Sequence, residues 1–101
     1  SLRDALGFRC VVVHGQRRSA AASVDECASF DAPFTARPVI STGAGDHFNA
    51  GFVLASCLGL PLAERLACAS AVAGRYVRTA HSPTRGELLS MLRDMPAPEG
   101  A

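Results

Sequence analysis

The stretch "ISTGAGDHFNAGF", residues 40–52, sets an extended run, a glycine turn and the start of an amphipathic helix end to end. Gly43 and Gly45 are poor helix residues that tolerate positive φ, so they mark a turn rather than a helix interior. From Asp46 onward Phe48, Phe52 and Ala55 fall on one helical face, with Leu58 or Gly59 near the end. Such a turn leaves several amides at the helix start without intrahelical partners. Solvent must take them, or an anion must.

The segments around this turn read as an α/β pattern. "CVVVHG" is a short β-branched run bounded by Gly15, the pattern of a strand buried on both faces. "SAAASV" and "CASFDAPF" flank Asp25 and Glu26 and suit a small hairpin, although alanine is a weak strand former. Pro33 and Pro38 hold the next stretch extended. Pro61 opens a second helix with Leu62, Leu66, Ala69, Ala73 and Val77 on one stripe. A third helix carries a capping box, Thr84 with Glu87, and points Leu88, Leu92 and Met95 inward. "SLRDALGF", residues 1–8, reads as the last turns of a helix closed by Gly7. "PAPEGA", residues 96–101, reads as a frayed, disordered tail. One clear buried strand does not make a stable sheet, so the architecture reads as part of a larger one.

Length and composition agree with that. The chain has 101 residues, 49% of them hydrophobic and 19% charged, which fits one small globular domain or a piece of a larger one. A formal net charge of +1 without a basic stripe argues against a nucleic-acid surface. Cys10, Cys27, Cys57 and Cys68 form no Cys-x-x-Cys pair and have no histidine at zinc spacing, so they read as buried free thiols. No signal peptide is visible at residue 1, and the apolar runs are too short and too interrupted to span a bilayer. The expectation is a cytoplasmic protein with no membrane partner.

The turn carries the chemistry. In the order strand, turn, helix, the amides of residues 43–46 can converge on one concavity, and the helix dipole favours an anion there by about 0.3–1 kcal/mol at an exposed site. Phosphate is the natural occupant. Asp46 complicates simple binding, because it sets a second negative charge beside that anion. A carboxylate belongs there if it meets a neutral hydroxyl about to attack the phosphate, orienting it and accepting its proton. The plainer alternative makes Asp46 a helix cap and the glycines an ordinary turn.

"STGAGDHFNAGF" resembles the C-terminal signature of the ribokinase-like, or PfkB-type, carbohydrate kinase family. The "VVVHG" strand and loop, the "LGLPLAERLACASAVAG" helix and the "SPTRGELLSML" tail follow in the family's order and at roughly its spacing. The resemblance covers nearly the whole chain. It implies the C-terminal part of a three-layer α/β ribokinase-like fold, with residues 1–95 as a nucleotide-binding and catalytic segment and with the lid and N-terminal half absent. It implies an ATP-dependent phosphotransferase that uses Mg²⁺ and passes the γ-phosphate to a hydroxyl of a sugar or nucleoside.

Residue by residue, the resemblance makes Asp46 the catalytic base and Gly43, Ala44 and Gly45, with the amide of Asp46, the anion hole. His14 and Gly15 match the loop along the nucleotide, and Ser70 the helix position that faces the adenine. No metal ligand is assigned within the chain. Ile40 stands where relatives often carry an aspartate that helps hold a monovalent cation. Arg18 stands where a second loop glycine is usual, and with Arg17 it reads as a solvated basic pair. His47 occupies a position where a small residue is common, and neither it nor Asn49 has an assigned role. The sugar-contacting residues and the Asn-x-x-Glu element lie upstream in relatives, so activity is expected only of a full-length enzyme. A homodimer stays open for that protein, since dimerisation in the family depends on the lid. The alternative is a nucleotide- or phosphate-binding module without catalysis, or a structural fragment.

Overall fold

The computed structural model describes residues 9–99. The helix end expected over residues 1–8, and the last two residues of the tail, lie outside them. Three strands, β1 (Cys10–His14), β2 (Arg18–Ser23) and β3 (Cys27–Asp31), form an antiparallel sheet in sequential order. Three helices follow, α1 (Ala44–Cys57), α2 (Leu62–Thr79) and α3 (Arg85–Arg93).

The register sets Val12 opposite Ala21 and Ala21 opposite Ala28, which puts these residues on one face with Cys10 and Phe30. That face packs on Phe48 and Phe52 of α1 and on Leu62, Leu66 and Ala69 of α2. The alanines of β2 make the hairpin workable, since small side chains let the helices approach the sheet closely. The β-hairpin expected over residues 19–34 is present as β2 and β3. β1 differs from expectation: among the described residues it pairs only with β2, and Val13 is 59% exposed. Its alternate side chains point away from the helices, so among the described residues one face is covered and the other is not.

In α1 the buried residues are Phe48, Gly51, Phe52 and Ala55, and α2 buries Leu62, Leu66 and Ala69 along the expected stripe. Ala73 and Val77 are only half-buried and line a cavity, with Ala73 also packed against the core. The capping box of α3 is complete, with Glu87 N–H donating to Thr84 Oγ1 at 3.2 Å and Thr84 N–H donating to Glu87 Oε1 at 2.9 Å. Of this helix only Met91 is buried, not Leu92. The cysteines are all free, but only Cys68 is buried, with its thiol pKa pushed up by desolvation. Cys27 and Cys57 are exposed, each on the outer side of its element. Among the described residues no helix is long and apolar enough to cross a membrane.

Candidate functional site

The extended segment after β3 is tied down by side chains that leave no periodic trace in the sequence. Arg78 donates to Pro33 O at 2.8 Å and to Gly74 O at 3.1 Å, which fastens residue 33 to α2. Val39 N–H donates to Val77 O at 2.7 Å. From the other side Glu99 N–H donates to Phe34 O, and the Glu99 carboxylate accepts from Ala36 N at 3.1 Å. That contact, with Thr35 beside it, holds the Glu99 carboxyl below its usual value. The described part of the tail therefore returns to the 34–36 loop.

Between this segment, the end of β1, the α1 start and one face of α2 lies a cavity of about 530 Å³. Pro33, Phe34, Phe48, Ala73 and Val77 make its walls largely apolar. Five residues singled out from the sequence meet there: His14, Gly15, Ala44, Gly45 and Ser70. His14 stacks on Phe48 with ring centroids 4.3 Å apart. A β-carbon on Gly45 would stand 3.4 Å from His14 Cε1, so the turn and the loop after β1 touch. Gly15 N–H donates to Arg18 O at 2.9 Å and closes the β1–β2 connection. Arg17 and Arg18 are both exposed, as a solvated pair would be, and each also has a surface neighbour. Arg17 lies 3.9 Å over the Phe34 ring, and Arg18 is bound to the exposed Asp31 at 3.0 Å.

Gly43 and Asp46 stand beside the cavity rather than in its wall. Gly43 has φ 91°, a left-handed conformation that disfavours any side chain, and a β-carbon there would meet Tyr76 Oη at 2.9 Å. Ala44 N–H donates back to Ser41 O at 3.1 Å, and His47 N–H donates to Gly43 O at 3.1 Å. Among the described residues nothing takes the amides of Gly45 and Asp46, the second and third residues of α1. Two open amides at the positive end of a helix beside a cavity have the geometry and dipole that attract an anion. Asp46 is exposed on the same first turn, with no salt-bridge partner among the described residues.

Ser70 and Ser19 are each 3% exposed, both line the cavity, and neither Oγ has a hydrogen-bond partner among the described residues. A buried unsatisfied hydroxyl costs about 1–3 kcal/mol, so a polar occupant near these walls relieves a standing penalty. Apolar walls with a few polar atoms suit a planar base, and the open amides suit its phosphates. Among the described residues no three His, Cys, Asp or Glu side chains cluster to hold a metal ion.

The sequence reading missed Ser19, Tyr76, Ser82 and the wall formed by residues 32–38. Tyr76, the chain's lone tyrosine, lies one position from the α2 stripe, and this was the one signal available.

Residues 1–95 match the model of the prokaryotic ketohexokinase family. A Haloferax volcanii protein named ketohexokinase is 42% identical over 85 residues, which are 84% of this chain and 23% of that protein. The crystal structure of a Methanocaldococcus jannaschii nucleoside kinase, an archaeal member of the ribokinase family, superimposes with a TM-score of 0.78. That match covers 92% of this chain and 33% of the other at 23% identity, which establishes the fold. The chain thus spans about a quarter of the length of the curated relative (23%) and a third of the solved one (33%).

Proposed function

Because the chain belongs to the prokaryotic ketohexokinase family of ribokinase-like (PfkB) carbohydrate kinases, we propose that residues 1–95 form the C-terminal, nucleotide-binding and catalytic segment of an ATP-dependent sugar kinase. The acceptor is a hydroxyl of a ketohexose, following the name of the Haloferax relative. The observation that carries this reading is the junction at the α1 start. There, open amides border an apolar cavity, and the Asp46 carboxylate stands exposed outside its wall.

In this reading the adenine lies in the cavity, against Phe34, Ala73 and Val77, with His14 and Gly15 along the nucleotide and Ser70 beneath it. The turn of Gly43, Ala44 and Gly45 receives the γ-phosphate, and the amides of Gly45 and Asp46 donate to its oxygens. Their alignment is set before substrate arrives, so stabilising the added charge of the transition state requires little reorganisation. Asp46 accepts a hydrogen bond from the attacking hydroxyl, orients it toward phosphorus, and takes its proton as the new P–O bond forms and the bond from the γ-phosphorus to the β,γ-bridging oxygen breaks, releasing ADP. Mg²⁺ would supply neutralisation of the phosphate charge, and no residue of this chain is assigned to hold it.

The test is Asp46→Asn in the full-length protein that carries these residues. Asparagine keeps the size and a hydrogen-bonding oxygen but is not a base, so turnover falls by about 10²–10⁴. ATP affinity measured by titration calorimetry is retained. Turnover close to wild type across a panel of ketohexoses removes Asp46 from the role of base.

A further inference from the structure

His47 is held by three contacts, one of them on the glycine turn. Its Nδ1 lies 2.8 Å from Gly43 O, and its Nε2 lies 2.7 Å from Ser82 Oγ. A carbonyl oxygen only accepts, so Nδ1 carries the proton and donates, and in the neutral ring Nε2 accepts the Ser82 hydroxyl proton. The imidazole also stacks on Tyr76, with centroids 3.7 Å apart and planes 11° from parallel.

Tyr76 completes the arrangement. Its hydroxyl donates to Thr42 O at 2.7 Å, one residue before Gly43. Consecutive carbonyls of the turn are thus gripped by two rings that grip each other. Gly43 O receives both the ring N–H and the main-chain N–H of His47. Tyr76 comes from α2, and Ser82 from the loop after it. That loop is turned by Ala80 at φ 62°, a left-handed conformation that costs a non-glycine residue roughly 1–2 kcal/mol. The chain holds that strained backbone at the turn that leads to Ser82.

We propose that His47 is a positioning residue for phosphate binding. Through Gly43 O, and braced by Tyr76 and Ser82, it fixes the peptide planes of residues 42–44 and hence the direction of the open amides at Gly45 and Asp46. The inference rests on the kinase reading of this turn. A 1 Å misplacement of such a turn is sufficient to cost about 10²-fold in rate. The peptide planes have one rigid neighbour on each side, the helix and the Tyr76 ring, so the imidazole is the piece that connects them.

The full-length protein is compared as wild type, His47→Phe, His47→Gln and Tyr76→Phe. Phenylalanine retains the stack but loses both ring hydrogen bonds, and glutamine restores a donor that can reach Gly43 O. Hydrogen exchange of the peptide spanning residues 42–48 reads the brace without reference to activity. Steady-state kinetics with ATP and Mg²⁺ read its use. The expected result for His47→Phe is exchange at least tenfold faster and a KM for ATP raised about tenfold, with the KM for sugar unchanged. Glutamine should recover most of both, and Tyr76→Phe should give a smaller change in the same direction. Unchanged exchange in His47→Phe overturns the brace. Faster exchange with unaltered KM for ATP and kcat overturns the positioning role and leaves a structural contact. A wild-type protein that transfers no phosphate overturns the kinase reading itself, and this inference with it.

Discussion

Alanine at Gly51 is a sharp test of how closely α1 and α2 cross. Gly51 is buried in the middle of α1, and a β-carbon there would stand 2.9 Å from Ala69 Cα, 3.0 Å from Val72 Cγ2 and 3.2 Å from Cys68 O. Two of these atoms belong to the α2 backbone, so a rotamer change cannot make room and the helices must separate. Replacing glycine by alanine in a helix interior gains about 0.8–1.0 kcal/mol, while overpacking a filled contact costs about 1–3 kcal/mol. A backbone obstacle puts the cost in the upper half of that range, so Gly51→Ala should destabilise by about 1–2 kcal/mol. Gly86 supplies the control. It lies in the first turn of α3, and a β-carbon there would meet nothing within 4 Å. Gly86→Ala should therefore gain about 0.5–1 kcal/mol. Urea unfolding of the full-length protein, followed by far-UV circular dichroism, compares the midpoints. If Gly51→Ala raises the midpoint alongside Gly86→Ala, the close helix crossing is wrong.

Leu66 is fully buried at the centre of the core, and Leu66→Ala should lower stability by about 2–5 kcal/mol in the same assay. Thr84→Ala removes the side chain that caps α3 and should cost about 0.5–2 kcal/mol. The same cap gives a pH signature. The Thr84 N–H first, then the Arg75 guanidinium, hold the Glu87 carboxyl below its ordinary value of 4.5. A depressed carboxylate contributes stability above its unfolded pKa and loses it as pH falls through the lower folded value. Melting temperature should therefore decline as pH drops below about 4.5, and a Glu87→Gln variant should decline less over that window.

What could be read from the sequence was whatever the chain encodes within a few residues. The stripe of Phe48, Phe52 and Ala55 needs only helical periodicity, and the Thr84 cap needs only its partner three positions on. The choice of Met91 over Leu92 was not local. Both positions satisfy an inward stripe, and the selection comes from α2, where Gly74 leaves the space that Met91 Cε fills. A β-carbon on Gly74 would stand 3.1 Å from that atom. That β1 has one edge unpaired and one face uncovered among the described residues escaped for a similar reason, since a β-branched run has the same composition whether one face is covered or two. The cavity wall at residues 32–38 depends on Arg78, which lies 45 positions beyond Pro33 in sequence. The His47 contacts reach 35 positions to Ser82. Long-range hydrogen bonds of this kind have no periodic signature.

The placement of Asp46 bears on how such a segment divides its work. Successive residues of a helix point about 100° apart, so a first turn that faces a cavity with Ala44 and Gly45 must aim the next side chain elsewhere. In the proposed mechanism that offset is useful. The donor phosphate reaches the amides from the cavity side, and the acceptor hydroxyl meets Asp46 from the solvent side, which suits an approach opposite the leaving group. An aspartate lying in the cavity wall would instead repel the bound phosphates at close range. One position earlier the carboxylate would face the nucleotide, and one position later it would take the place where His47 reaches Gly43 O. The proposed division between donor and acceptor sides therefore depends on the order of residues 45, 46 and 47 along a single helical turn.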